Sequence, residues 1–228
     1  MLIRRPTESA TAEVTTEVVS LGRRSSLGVA GAIGAVAATG SAVGALAGVP
    51  RMAGAQPAAL EPTPEELFTS YNNFYEFGTD KEDPKQYAKG FRTSPWTVQV
   101  DGLCRKPGKY ALEDFLKPSR IEDRVYRFRC VEAWSAVVPW RGIPLADVIR
   151  RAEPQPSAKY VVFTTLYDPS RMVGQQRNVI DWPYLEGLRM DEALHPLAFL
   201  ATGIYGKSLP PQNGAPLRLV VPWKYGFK

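Results

Sequence analysis

Residues 126–140 read YRFRCVEAWSAVVPW, a single cysteine set among arginines, a glutamate and two tryptophans. Arg127 and Arg129 alternate with Tyr126, Phe128 and Cys130. That period of two predicts a strand with cations on one face and aromatics with the thiol on the other, ending at or just past Cys130. Two guanidiniums beside a thiol favour its thiolate, the form that ligates a soft metal or attacks an electrophile. The competing reading is a structural Cys104–Cys130 disulfide, because Cys104 is the one other cysteine and lies in a turn-like GLCRKPG segment.

Composition narrows the field. The chain has 228 residues, 44% of them apolar and 22% charged, which suits one globular core with appended pieces and excludes disordered or collagen-like classes. The formal charge is +5, of which the first 55 residues hold five arginines and three acids. The remaining +3 (23 basic against 20 acidic groups) does not suggest a nucleic-acid partner. One histidine, His195, and two cysteines cannot build a His/Cys zinc cluster or a bis-histidine haem.

Residues 1–20 show no apolar periodicity and read as an extension. Arg23-Arg24-Ser25-Ser26-Leu27 then opens an uncharged Ala/Gly/Val run to Pro50, followed by Arg51 and the small-residue site Ala53-Gly54-Ala55. This order predicts a cleaved signal peptide over 1–55, and the paired arginines with weak hydrophobicity predict the twin-arginine type. A membrane anchor is the alternative on length, but glycine and alanine gain little from lipid.

Residues 56–64 form a Pro/Ala linker, and Thr63-Pro64-Glu65-Glu66 predicts a helix start with threonine as N-cap. Trp96–Val100 and Tyr160–Tyr167 read as strands, the second buried, while Leu112–Leu116 and Pro144–Arg151 read as short helices. Asp168–Asp181 reads as a long polar loop of functional or mobile character. Gln212-Asn213-Gly214-Ala215-Pro216 is turn chemistry ahead of a strand, Leu217–Val221, whose one charge is Arg218. An arginine there suits a phosphate, which its planar fork can meet with two hydrogen bonds.

Three separated stretches, YNNFYEFG (71–78), RCVEAWSAVVPW (129–140) and PPQNGAPLRLVVPWKYGFK (210–228), occur in the order that resembles the sulfite-oxidase-type molybdopterin oxidoreductases. The likeness runs almost without gaps from about Tyr71 to Lys228 and is greatest to the periplasmic branch that reduces methionine sulfoxide in proteins. The resemblance implies an α+β domain over 65–228, with mixed strands in a curved sheet and short helices around a cofactor cleft. It implies one molybdenum-molybdopterin per chain, with the Cys130 thiolate on the metal. Asn72, Tyr75, Glu76, Thr165, Asn213 and Arg218 match the positions that hold the pterin, and Gly187–Ala193 resembles a segment lining the substrate entrance. It further implies electrons from a membrane haem-binding subunit fed by quinol, oxidised periplasmic proteins as substrates, and a C-terminal part continuing past Lys228. A sulfite-oxidising or other oxyanion-converting relative would share the Cys130 motif, and a non-catalytic domain stapled by Cys104–Cys130 is the non-enzymatic alternative.

Overall fold

The structure, a computed structural model, describes residues 60–224. The leader and most of the linker lie outside the described residues. Among those described, nine strands pair antiparallel in three sheets, and no helix is long and apolar enough to cross a membrane. The α+β class is as expected, while the strands divide among three sheets instead of sharing one.

The central sheet is built on a long hairpin of β3 (Glu122–Arg129) and β4 (Ser135–Pro144), in unbroken register from Glu122↔Gly142 to Arg129↔Ser135. β4 pairs with β7 (Phe199–Ile204), which in turn carries β8 (Lys207–Ser208) and β9 (Arg218–Val220). The register of β4 on β7 shifts between Arg141 and Gly142. Gly142 is required at that bulge, since any Cβ there would run into the Leu200 carbonyl.

Both faces of this sheet are covered. On one, Val138, Trp140, Phe199 and Ile204 pack with Phe68 of α1 (Glu65–Ser70). On the other, Ile143 and Leu200 pack with Phe115 of α3 (Leu112–Leu116), with Val148 and Ile149 of α4 (Leu145–Ala152) and with Ala193 of α5 (Met190–Ala193). Each large side chain sequestered this way contributes about 1.5–3 kcal/mol before conformational entropy is charged. A third cluster of Phe77, Ala88, Phe91 and Met172 sits beneath the 71–78 loop, beside α2 (Asp83–Tyr87). Two ribbons complete the domain: β1 (Thr97–Val100) with β2 (Gly108–Ala111), and β5 (Tyr160–Thr164) with β6 (Leu185–Arg189).

Three local expectations need correction. Thr63 does not cap α1; its N–H donates to Val137 O and its Oγ1 accepts from Val137 N, both at 2.9 Å, so it lengthens the ladder on β4. The β5 strand is half-buried rather than buried. In a two-stranded ribbon only Val161 and Phe163 turn inward, while Tyr160 and Val162 face outward at 68% and 59% exposure. Finally, residues 168–181 are not a free loop. A 3-10 turn, Val173–Gln176, is anchored by buried Gln175, whose Oε1 accepts from Asp168 N and whose Nε2 donates to Leu166 O, both at 2.7 Å.

Candidate functional site

Cys130 lies at the apex of the β3–β4 hairpin. Its N–H donates to Trp134 O and its carbonyl accepts from Ala133 N, both at 3.0 Å, which leaves Val131, Glu132 and Ala133 as the turn. Ala133 holds φ 77°, the left-handed conformation that closes a three-residue hairpin turn and that ordinarily selects glycine. Side-chain alternation along β3 carries into the turn, so Tyr126, Phe128 and Cys130 face inward and Arg127 and Arg129 face outward.

The same alternation overturns one expectation. Arg127 and Arg129 are on the wrong face to stabilise a thiolate, and burial, with Cys130 only 5% exposed, pushes the thiol up from its ordinary value. The backbone hydrogen bond at Glu132 pulls the other way, as do the cations that do face the thiol, Arg218 and Lys81, while the Glu132 charge adds to the rise. Cys104 is elsewhere, in a turn bridged to Pro154, and both cysteines carry free thiols. The disulfide reading therefore fails.

Most of the predicted cofactor residues meet one another, or share a partner, across distant parts of the chain. Asn72 and Asn213, 141 positions apart, each donate Nδ2–H to the same carbonyl, Phe68 O, at 3.1 Å. Both side chains are buried, and both Oδ1 atoms are left without a hydrogen-bond partner. A buried orphan of this kind costs about 1–3 kcal/mol unless a ligand or water meets it. Glu76, fully buried, meets Thr165 Oγ1 at 3.4 Å. The Tyr75-Glu76 backbone is clamped by Gly174, whose N–H donates to Glu76 O at 2.8 Å and whose missing Cβ leaves room for the Tyr75 carbonyl.

Arg218, at the start of β9, donates to Asn213 O at 2.9 Å and lies over the rings of Phe128 and Trp140, at 5.5 and 5.1 Å. Burial pushes its guanidinium down to about 10, opposed by the charge of the Cys130 thiolate. Trp140 Nε1 is a further buried polar atom without a partner. His195, by contrast, sits at the surface against Trp223 and accepts from Leu197 N at 3.2 Å.

Two residues escaped the sequence reading. Lys81 bridges Glu132 and the 71–78 loop, and Trp140 floors Arg218. Nothing in the spacing signals Lys81; Trp140 could have been found as the second tryptophan of the cysteine stretch, ten residues on. Two surface clefts, of about 380 and 240 Å³, include Phe128 in the larger but neither Cys130 nor any of the predicted cofactor residues. The orphaned polar atoms and the buried thiol locate the site, not cavity size.

A family model for the oxidoreductase molybdopterin-binding domain matches residues 85–228. The chain belongs to that family. Among the curated relatives of this molybdopterin-binding domain, a protein-methionine-sulfoxide reductase catalytic subunit MsrP of Xanthomonas axonopodis pv. citri (strain 306) is 62% identical over 170 residues, covering 75% of this chain and 53% of the relative. A protein of the same name from Gluconobacter oxydans (strain 621H) is 52% identical over 218 residues, covering 95% of this chain and 69% of the relative. The chain thus spans about half the length of the Xanthomonas relative. In fold, it is similar to the sulfane dehydrogenase SoxCD of Paracoccus pantotrophus, with TM-score 0.51 and 17% identity over 84% of this chain and 53% of that one.

The molybdopterin-binding domain's own residues fit such a cofactor. Two orphaned amide oxygens suit the N–H groups of a pterin edge, and the half-buried Arg218 guanidinium with an orphaned indole N–H suits its anionic oxygens. Among the described residues no group of three or more His, Cys, Asp or Glu could hold a metal ion.

Proposed function

We propose that this chain is the molybdenum-dependent catalytic part of a protein-methionine-sulfoxide reductase. The observation that carries the reading is the meeting of Asn72 and Asn213, both with orphaned oxygens, at one carbonyl, in a site where Arg218 bonds Asn213 O and its charge acts on the buried sulfur of Cys130. The 52–62% identity to proteins named for that activity supports it.

Cys130 Sγ would hold the metal, and Asn72, Tyr75, Glu76, Thr165, Asn213 and Arg218 would hold a single molybdopterin. The bound group would supply two-electron oxygen-atom transfer, so that a sulfoxide becomes a thioether and its oxygen leaves as water with two protons and two electrons. The protein's share is positional and electrostatic. Burial excludes water from the sulfur, Arg218 and Lys81 offset negative charge at it, and the two asparagines fix a donor-bearing ring edge. A thiol pushed up by burial is protonated before loading, so cofactor insertion displaces one proton from Sγ.

Electrons would come from a membrane haem-binding subunit and the quinone pool, and the substrates would be oxidised periplasmic proteins. The Arg23-Arg24 leader supports export by the twin-arginine route, which moves folded chains and so suits a protein loaded before export. The test is elemental analysis of the chain recovered from its export route, with turnover of methionine sulfoxide and of sulfite measured side by side. About one molybdenum per chain and reduction of the sulfoxide is the expected result. Molybdenum at background, or sulfite oxidation in place of sulfoxide reduction, overturns the proposal.

A further inference from the structure

We propose that Lys81 is a positioning residue, a latch that ties the Cys130 turn to the 71–78 loop and so sets where the Cys130 sulfur lies. The inference deepens the reading of Cys130 as the metal ligand and rests on it.

The turn has little backbone anchorage of its own. Its two hydrogen bonds, Cys130 N to Trp134 O and Ala133 N to Cys130 O, both close within it, and Ala133 is in a left-handed conformation. What joins it to the 71–78 loop is side chains. Lys81 Nζ donates to Glu132 Oε1 and to Asn73 Oδ1, each at 3.1 Å, and stands 5.2 Å from the centre of the Tyr75 ring. Trp134 meets Tyr71 edge-on at 5.0 Å. Lys81 is itself held to the loop, because its carbonyl accepts from Asn72 N at 2.8 Å.

One ammonium therefore spends two of its three donors on the two segments the site needs in register. On one side it holds the residue two after Cys130, and on the other the neighbours of Asn72, Tyr75 and Glu76. The lysine side chain is 17% exposed and its carboxylate partner 31%, so water competes less here than at an open surface pair. The remaining contact of Nζ, Thr79 O at 3.5 Å, is at the limit of a hydrogen bond and adds little.

Alkylation of the cofactor-free chain tests the latch without the loaded enzyme. Iodoacetamide labelling of Cys130 and Cys104 is followed across pH in the same molecules by mass spectrometry, and the plateau fitted from points below about pH 9, where lysine ammoniums persist, reports access to each sulfur. Lys81→Met is expected to raise the Cys130 plateau about 10-fold with Cys104 unchanged, the scale on which outer supporting residues act. Lys81→Arg and the paired exchange Lys81→Glu with Glu132→Lys should restore the wild-type plateau. Lys81→Gln, which keeps a donor and loses the charge, makes the same comparison if Lys81→Met does not fold. An unchanged Cys130 plateau, a parallel rise at both cysteines, or no rescue by arginine overturns the proposal. Absence of molybdenum from wild-type protein would instead count against the ligand reading, and the labelling result would still decide the latch.

Discussion

The two cysteines occupy hairpin connections, β1–β2 and β3–β4, that are held in opposite ways. The Cys104 turn is tied to the end of α4 by main-chain hydrogen bonds: Arg105 N to Glu153 O at 3.0 Å, Lys106 N to Ala152 O at 3.2 Å and Gln155 N to Leu103 O at 2.9 Å. The Cys130 turn is tied to its surroundings by side chains, through Lys81–Glu132 and Tyr71–Trp134. A turn held by backbone tolerates most side chains and makes a scaffold. One held by side chains costs more to place and lets chemistry depend on who its neighbours are.

The comparison breaks most sharply at the sulfurs. If Cys130 holds the metal as proposed, Cys130→Ser is expected to lower molybdenum-dependent turnover more than about 100-fold, since losing a ligand should exceed the loss of an outer supporting partner. Cys104→Ser should leave turnover unchanged and alter stability by under about 0.5 kcal/mol. Paired kinetics and thermal melts of the two variants check both.

Gly174→Ala is next in size. A Cβ there runs into the Tyr75 carbonyl, so the Tyr75-Glu76 clamp must shift, at a cost of about 1–3 kcal/mol. Calorimetry should show Tm lowered by about 2–4 °C for each kcal/mol, with weaker cofactor retention.

Asn213→Ala separates holding a ligand from holding the fold. Phe68 O keeps the Asn72 amide as donor, and the lost Oδ1 had no protein partner. Cofactor-free stability should therefore fall by no more than about 1 kcal/mol, while cofactor retention after gel filtration falls clearly.

The smallest effect is the pH response of Cys130. Burial raises its folded value, so below the ordinary thiol range, about 8.5, the thiol is protonated in both states and stability is unaffected. As pH rises past that range the unfolded chain ionises first, and stability is lost progressively up to the folded value. Denaturant melts of cofactor-free protein from pH 7 to 10 should show this decline, and Cys130→Ser should flatten it.

Much of the local structure was legible in the sequence. The β3 alternation, the strand end at Cys130, the α3 span and the turn at 212–216 are local patterns, and local sterics realise them in place. The resemblance supplied seven residues, and the structure links Asn72 to Asn213 through Phe68 O, Glu76 to Thr165, and Arg218 to Asn213. What misled was adjacency. Arg127 and Arg129 are Cys130's neighbours in sequence, yet a strand sends alternate side chains to opposite faces, and the cations that reach the thiol come from 49 residues before it and 88 after.

By itself the sequence determined the strand that ends at Cys130 and the charge pattern of residues 1–55, because these follow from periodicity and composition within short windows, while the class of domain came with the family resemblance. Only the tertiary structure decided that the two thiols stay apart, that β5 keeps an open face, that Gln175 pins the 168–181 segment, and that Lys81 and Arg218 face the sulfur. The physical reason is range. Backbone preference acts over a few residues, whereas burial and the fields of charges depend on distance in space, which is set only when β3, β4, β7 and β9 have closed into one sheet.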